Sequence, residues 1–336
     1  MLVQASLPVN SCLLVVSVIF LVQYVAQVKD VFPWNRPSCV RECLPRYFDG
    51  PIKSRDPDTF AVIRDEYLVP PPTNPDRSPV DINEPVWRKL LDWSTVQENL
   101  NSVWKDQPPG TFVEVGVVDG DFMSQTLFLE KNLSWSGLLI EPDPRSFKIL
   151  QQRRRNAWTS PMCVNYGAPT QKKYWLRDLE MDLPAHFVQL LMARSKLNQD
   201  TLTGDEERGS TIWVPCAPLS AILMAANMTR IDMLTISTGA ENDEERIKDV
   251  LLSKAFDVKT VLIHYPTGRL FVQPYPRIPG YILDKERSTI QVKLYLKKSH
   301  CKVMKTGKEL CIKSHYYDVE DSCTEYLCFG FLSVWT

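Results

Sequence analysis

The sequence predicts an α/β domain built on a doubly wound, mostly parallel sheet. Two observations carry this prediction. Short apolar runs of strand type alternate with helical periodicity from Thr111 to His264. The first such pair meets at a glycine turn, so that strand, turn, helix and strand fit into about thirty residues, the length of a βαβ unit. Composition agrees, since 44% hydrophobic and 24% charged residues fit a globular chain. A formal net charge of -1 argues against a general nucleic-acid binder, so no nucleic-acid partner is expected.

The elements follow in chain order. Leu7 to Val28 holds no charged residue. At 1.5 Å rise per residue the segment reaches roughly 33 Å, about one hydrocarbon core. With no basic residue ahead of it and no clean small-x-small cleavage site, it reads as an uncleaved signal anchor over 1–28, which makes the membrane a partner. Eleven of the 25 prolines fall between Pro33 and Pro85, including Pro70-Pro71-Pro72. Proline fixes φ and donates no ladder hydrogen bond, so 29–84 reads as an extended stalk. From Pro85, Val86, Leu90, Leu91, Trp93, Val96 and Leu100 recur at helical spacing and open a globular domain over 85–290. Thr111 to Val115 is a strand, Phe122 to Lys131 a helix, and Gly137 to Glu141 a second strand. Phe147 to Arg155 (helix), Ile231 to Ile236 (strand), Asp243 to Leu252 (helix) and Thr260 to His264 (strand) continue the alternation. Gln291 to Leu327 alternates like antiparallel strands and marks a cysteine-bearing extension over 291–336. Arg153-Arg154-Arg155 reads as the solvated end of a helix, Asp205 to Arg208 as a loop, and Trp135, Trp158 and Trp213 as core.

The flanking Lys29, Arg36 and Arg41 weakly favour the cytoplasm. Against them stand the sequons at Asn132 and Asn227, glycosylated only in the lumen. Apart from Cys12, the cysteines number eight: Cys39, Cys43, Cys163, Cys216, Cys301, Cys311, Cys323 and Cys328. An even set spread over loops suits an oxidising lumen, whereas zinc would want compact CxxC pairs, which are missing; no metal is expected.

Two nucleotide readings compete for the loop Glu114-Val-Gly116-Val-Val-Asp119-Gly120-Asp121. A pyrophosphate site wants G-x-G-x-x-G, and the acidic residues here would repel a diphosphate. S-adenosylmethionine carries a sulfonium and an ammonium and suits an acidic loop. Glu141 ends the second strand, 25 residues after Gly116, where an acid can hydrogen-bond ribose hydroxyls.

Phe112-Val-Glu-Val-Gly-Val-Val-Asp-Gly-Asp-Phe-Met-Ser-Gln-Thr-Leu127, through Trp135-Ser-Gly-Leu-Leu-Ile-Glu-Pro-Asp-Pro144, resembles the FkbM-type methyltransferase domain, specifically its arthropod Star-like branch. Val214-Pro-Cys-Ala-Pro-Leu-Ser-Ala-Ile-Leu223 followed by Asn227-Met-Thr-Arg-Ile-Asp-Met-Leu-Thr-Ile236 is similar to that branch too. The resemblance implies a sheet of the S-adenosylmethionine-dependent methyltransferase type, with Glu114, Gly116, Asp119, Gly120 and Glu141 contacting the cofactor. It also implies a disulfide between Cys163 and Cys216.

The chain departs from the family where Asp-Val-Glu-Gly-Ala-Glu is usual and Ser237-Thr-Gly239-Ala-Glu241 stands instead. Two crevice carboxylates are missing, unless Asp243 or Glu244 moves in, and serine cannot replace a carboxylate base unaided. His264 reads as a packed or surface histidine, and His186, His300 and His315 have no evident nucleophile to serve. No catalytic residue is assigned. The resemblance, the anchor and the eroded second motif together imply a pseudoenzyme. It would be a single-pass protein of the endoplasmic reticulum, Golgi and endosome, with a lumenal domain that moves membrane or growth-factor cargo in vesicle-mediated transport. The intact first motif implies the alternative, an S-adenosylmethionine-dependent O-methyltransferase.

Overall fold

A computed structural model gives the structure of the protein. It describes residues 57–85, 88, 92–179, 182–201, 205, 208–238, 240, 243–265, 277–289, 291–303 and 309–311. The chain divides into a unit over 1–46, outside the described residues, and a unit over 47–336. The expected anchor, Cys12, Cys39, Cys43, Gly239, Glu241, Cys323 and Cys328 likewise lie outside them. Among the described residues no helix is long and apolar enough to cross a membrane.

The elements in order are α1 (Pro57–Tyr67), α2 (Trp93–Trp104), β1 (Thr111–Val115), α3 (Leu127–Leu133), β2 (Ser136–Ile140), α4 (Pro144–Gln152) and β3 (Ala157–Ser160). There follow β4 (Cys163–Val164), β5 (Thr170–Arg177), α5 (Ala185–Met192), β6 (Lys196–Leu197), β7 (Gly209–Ala217) and α6 (Leu219–Ala225). The chain continues through β8 (Arg230–Ile236), α7 (Asp243–Leu251), β9 (Asp257–His264), β10 (Tyr281–Asp284), β11 (Val292–Lys297), β12 (Cys301–Val303) and β13 (Glu309–Cys311). The large sheet runs β10-β11-β9-β8-β1-β2-β3. Its five strands from β3 to β9 are parallel, and β11 is antiparallel to both its neighbours. The mostly parallel α/β sheet is therefore present. A second sheet, β4-β7-β5-β6, arises between β3 and β8 and was not legible in the sequence.

Parallel strands covered on both faces read as continuous apolar runs, which is why β1, β2 and β8 are so easily recognised. Phe112, Leu139, Leu150, Met233 and Leu262 form the heart of the core. Each such side chain contributes about 1.5–3 kcal/mol through burial. Trp135 is fully buried and meets Trp104 edge to face at 4.9 Å. Trp158 is half-buried, but Trp213 is 64% exposed, contrary to expectation. It lies on β7 in the unforeseen second sheet, with Lys173 of β5 5.7 Å from its ring.

The stalk expected over 29–84 ends earlier. α1 buries Val62 and Ile63, and Arg64 donates to the Ala225 carbonyl at 2.7 Å. Beyond it, Val69 pairs in both directions with Thr159 at 2.9 Å and covers the open edge of β3. Proline does not prevent this, because the bonding amides belong to the residues between prolines.

The helix expected from Val86 is described from Trp93, after Asp92 in the left-handed region at φ 64°; Val86, Leu90 and Leu91 lie outside the described residues. The helix expected from Phe122 starts at Leu127. The Glu114 carboxylate takes the Gln125 amide at 2.8 Å and the Ser124 and Thr126 hydroxyls at 2.7 and 2.6 Å, holding 122–126 in turns. The next helix starts earlier than expected, at Pro144, because Asp143 caps it and proline is favoured in the first turn. β11 is not an appendage, since it lies inside the large sheet between β9 and β10. β12 and β13 pair antiparallel with Cys301 opposite Cys311.

Candidate functional site

The chain runs from β1 outward to β2 and β3, then returns to β8 on the other side of β1. In open α/β sheets such a switch point, at the carboxyl ends of the strands, is where ligands bind. Here it lies between Gly116 and Ser237, and the five residues implied to hold a cofactor gather around it.

Each of the five is engaged by the chain itself. Glu114, 2% exposed, holds the turn before α3 as described. Gly116 has φ 78°, and a Cβ there would run into the Ser237 carbonyl, so glycine serves the close approach of two strand ends. Gly120 has φ 80°, faces Leu150, and accepts from Arg155. Asp119 is fully buried and accepts from the Asp121 and Phe122 amides, from Arg153 at 2.7 Å and from Gln189 at 2.6 Å. Asp121 pairs with Arg88 at 3.0 Å. The acidic loop that would have attracted a sulfonium is thus neutralised by Arg153 and Arg88.

Glu141 is 4% exposed and accepts the Val118 amide on Oε2 at 2.7 Å and the Asp143 amide on Oε1 at 2.9 Å. Val118 itself stands at φ 56°, so the loop is folded back onto the carboxylate that ribose hydroxyls would need. The space beside Glu141, lined by Gly116, Tyr174, Met192 and Arg246, is about 30 Å³. The space beside His264, lined by Phe122, Leu190, Ala193 and Ser237, is about 20 Å³. Small-molecule pockets run to several hundred Å³. Side chains from α5 and the turn after it occupy the crevice, so a nucleoside of the size of S-adenosylmethionine does not fit this arrangement.

Burial, reinforced by neighbouring Asp143, pushes the Glu141 carboxyl up to about 8, although the two amides pull it back. The unfolded chain releases that proton near 4.3. The folded state therefore holds more protons, and this contribution is complete below the unfolded value and lost as pH rises through about 8, a loss on the order of 5 kcal/mol. Asp243, raised by burial to about 6, acts in the same sense over a lower range. His264, lowered by burial to about 4, acts oppositely and costs stability as pH falls below its ordinary value of 6.5. Above pH 6, Glu141 dominates. Thermal unfolding of Glu141→Gln is expected to vary less between pH 6 and 8 than that of the native protein; equal slopes would show that the carboxylate is ionised throughout.

The segment that follows β8 is closed as well. Asp243 does move toward it, but accepts the Thr238 amide at 3.0 Å and the Thr238 hydroxyl, capping the turn from a buried position. Ser237 Oγ lies 3.2 Å from His264 Nδ1. A histidine held near 4 is a weak base, and its Nε2 has no partner to orient it, so the pair makes no activated nucleophile.

The expectation of a solvated Arg153-Arg154-Arg155 holds only for Arg154. α4 ends at Gln152, and Arg155 turns inward to Glu130 at 2.6 Å, with both side chains 1% exposed. Sequence reasoning also missed α5 as the crevice filler. The run Ala-His-Phe-Val-Gln-Leu-Leu-Met was a helical signal, but nothing in it indicated where the helix packs. Cys163 and Cys216 are disulfide-bonded, as the resemblance implied. Among the described residues no cluster of His, Cys, Asp or Glu is suited to a metal. No family model matches the chain, and no curated protein matches its sequence.

Proposed function

We propose that the chain is a membrane-tethered protein of the secretory and endosomal pathway, whose lumenal domain has the methyltransferase architecture without its chemistry. It acts as a binding scaffold in vesicle-mediated trafficking of membrane or growth-factor cargo between endoplasmic reticulum, Golgi, endosome and plasma membrane. The observation that carries the choice of scaffold over O-methyltransferase is the filled crevice: Glu141 is bonded to Val118 and Asp143 where the cofactor's ribose would lie. The strand order, with a final antiparallel strand inserted between β9 and β10, supports methyltransferase ancestry. The buried disulfide supports an oxidising compartment. The sequon residue Asn227 is exposed in a left-handed turn after α6, open to glycosylation. Asn132 is exposed too, although its amide already pairs with the Val80 backbone at 3.1 and 3.2 Å.

Calorimetric titration of the full-length protein in detergent with S-adenosylmethionine is expected to give no heat of binding at millimolar ligand. Micromolar binding with methyl transfer to any acceptor would overturn the scaffold reading in favour of the methyltransferase. In cells lacking the protein, a membrane cargo should accumulate in the endoplasmic reticulum; unchanged surface delivery and secretion across the proteome would reject the trafficking role.

A further inference from the structure

β12 and β13 form a two-stranded sheet of their own, which follows β11 after a short 3-10 helix over Lys298–His300. Their register is antiparallel: Cys301 opposes Cys311, Lys302 opposes Leu310, and Val303 opposes Glu309. Three pairs are little for such a ribbon, since two strands alone are marginal in water. The lysine–leucine and valine–glutamate pairs match neither apolar with apolar nor charge with opposite charge, so they add little. The cysteine pair is where the ribbon can be held.

We infer that Cys301 and Cys311 are joined in a disulfide that closes this ribbon. Directly opposed residues of an antiparallel pair share one face, with Cα atoms about 4.5 or 5.5 Å apart according to whether the pair is hydrogen-bonded. Both values fall within the span of about 4.4–6.8 Å that a disulfide requires, so the register alone meets the distance condition. The cysteines stand ten positions apart in the sequence, so the loop to be closed is short and its ends meet often. Cys163 and Cys216 already satisfy each other and do not compete. The bond rests on the oxidising compartment proposed above. There each thiol gives up its hydrogen, and the two electrons pass by thiol–disulfide exchange to a disulfide-bearing oxidoreductase, which leaves as a dithiol. Outside the membrane-anchor reading of Cys12, this leaves Cys39, Cys43, Cys323 and Cys328, a set that admits three pairings.

The test is peptide mapping of the full-length protein, produced in the secretory pathway of cultured cells, alkylated without reduction and digested with trypsin. Cleavage after lysine releases Ser299-His-Cys-Lys302 and Glu309-Leu-Cys-Ile-Lys313. Mass spectrometry should find these two joined, two hydrogens lighter than the separate thiol peptides, and reduction should part them. The Cys163–Cys216 link in the same digest reports the compartment. If that link is intact while Cys301 and Cys311 are both alkylated, the inference fails and the compartment reading stands. Either cysteine joined to Cys39, Cys43, Cys323 or Cys328 would overturn it equally. Alkylation of all four, Cys163 and Cys216 included, would overturn the oxidising compartment and this bond together.

Discussion

Replacing Arg155 by alanine is expected to destabilise the domain by about 3–5 kcal/mol, the cost of leaving a buried charge without its partner. The guanidinium bonds Glu130 at 2.6 Å, the Gly120 carbonyl, and the Ser124 and Thr126 hydroxyls at 3.1 Å each. Glu130 in turn accepts the Asn156 amide at 2.8 Å. Ser124 and Thr126 also donate to Glu114 on β1, so one arginine joins the glycine loop, α3 and the first strand. Removing it orphans an anion and several polar groups in a buried site. Arg154→Ala is the control. Its side chain bonds the Asn74 carbonyl at an exposed site, and the change should fall within about 0.5 kcal/mol. The double variant Arg155→Met/Glu130→Leu should recover much of the loss, because two well-packed apolar residues can replace a buried pair at little cost. Denaturant midpoints of the three variants check this. An Arg155→Ala protein as stable as the native one would mean that the pair is solvated in solution.

Removing the disulfide should have an effect of similar size. Cys163 of β4 and Cys216 of β7 sit opposite one another in the parallel register, separated by 53 residues, and are 3% and 0% exposed. A loop of that length suggests that Cys163→Ala/Cys216→Ala loses about 2–4 kcal/mol. The second sheet should open first, because its core of Tyr174, Leu176, Leu197 and Val214 is small and contains both cysteines. Hydrogen exchange across β5 and β7 would report this. Protection lost uniformly over both sheets would show instead that the domain unfolds as a single unit. Mild reductant should leave the folded native protein unaffected, because both sulfurs are buried.

These two sites differ in how far the sequence disclosed them. The disulfide partners were implied by resemblance alone, since eight cysteines allow many pairings. Arg155 was misread as solvated because its neighbours are charged, and charge density along the chain does not reveal which way a turn points. The same limit governs the glycine loop. Glu114, Gly116, Asp119, Gly120 and Glu141 do converge at the switch point, and their order along the strands was legible from apolar runs of period and length. The partners that consume them come from afar in sequence: Arg153 and Gln189 for Asp119, Ser237 for Gly116, Arg88 for Asp121.

The sequence by itself determined the alternation of strand and helix, the parallel sheet and the place of the crevice. All of these are written in local periodicity and composition. Only the tertiary structure decided that Glu141 accepts the Val118 and Asp143 amides, because whether a carboxylate meets a backbone amide depends on how distant segments pack. It likewise decided that part of the proline-rich stretch is domain rather than stalk. Proline restricts the backbone locally, but an open strand edge and an unfilled helix face exist only once the sheet has formed.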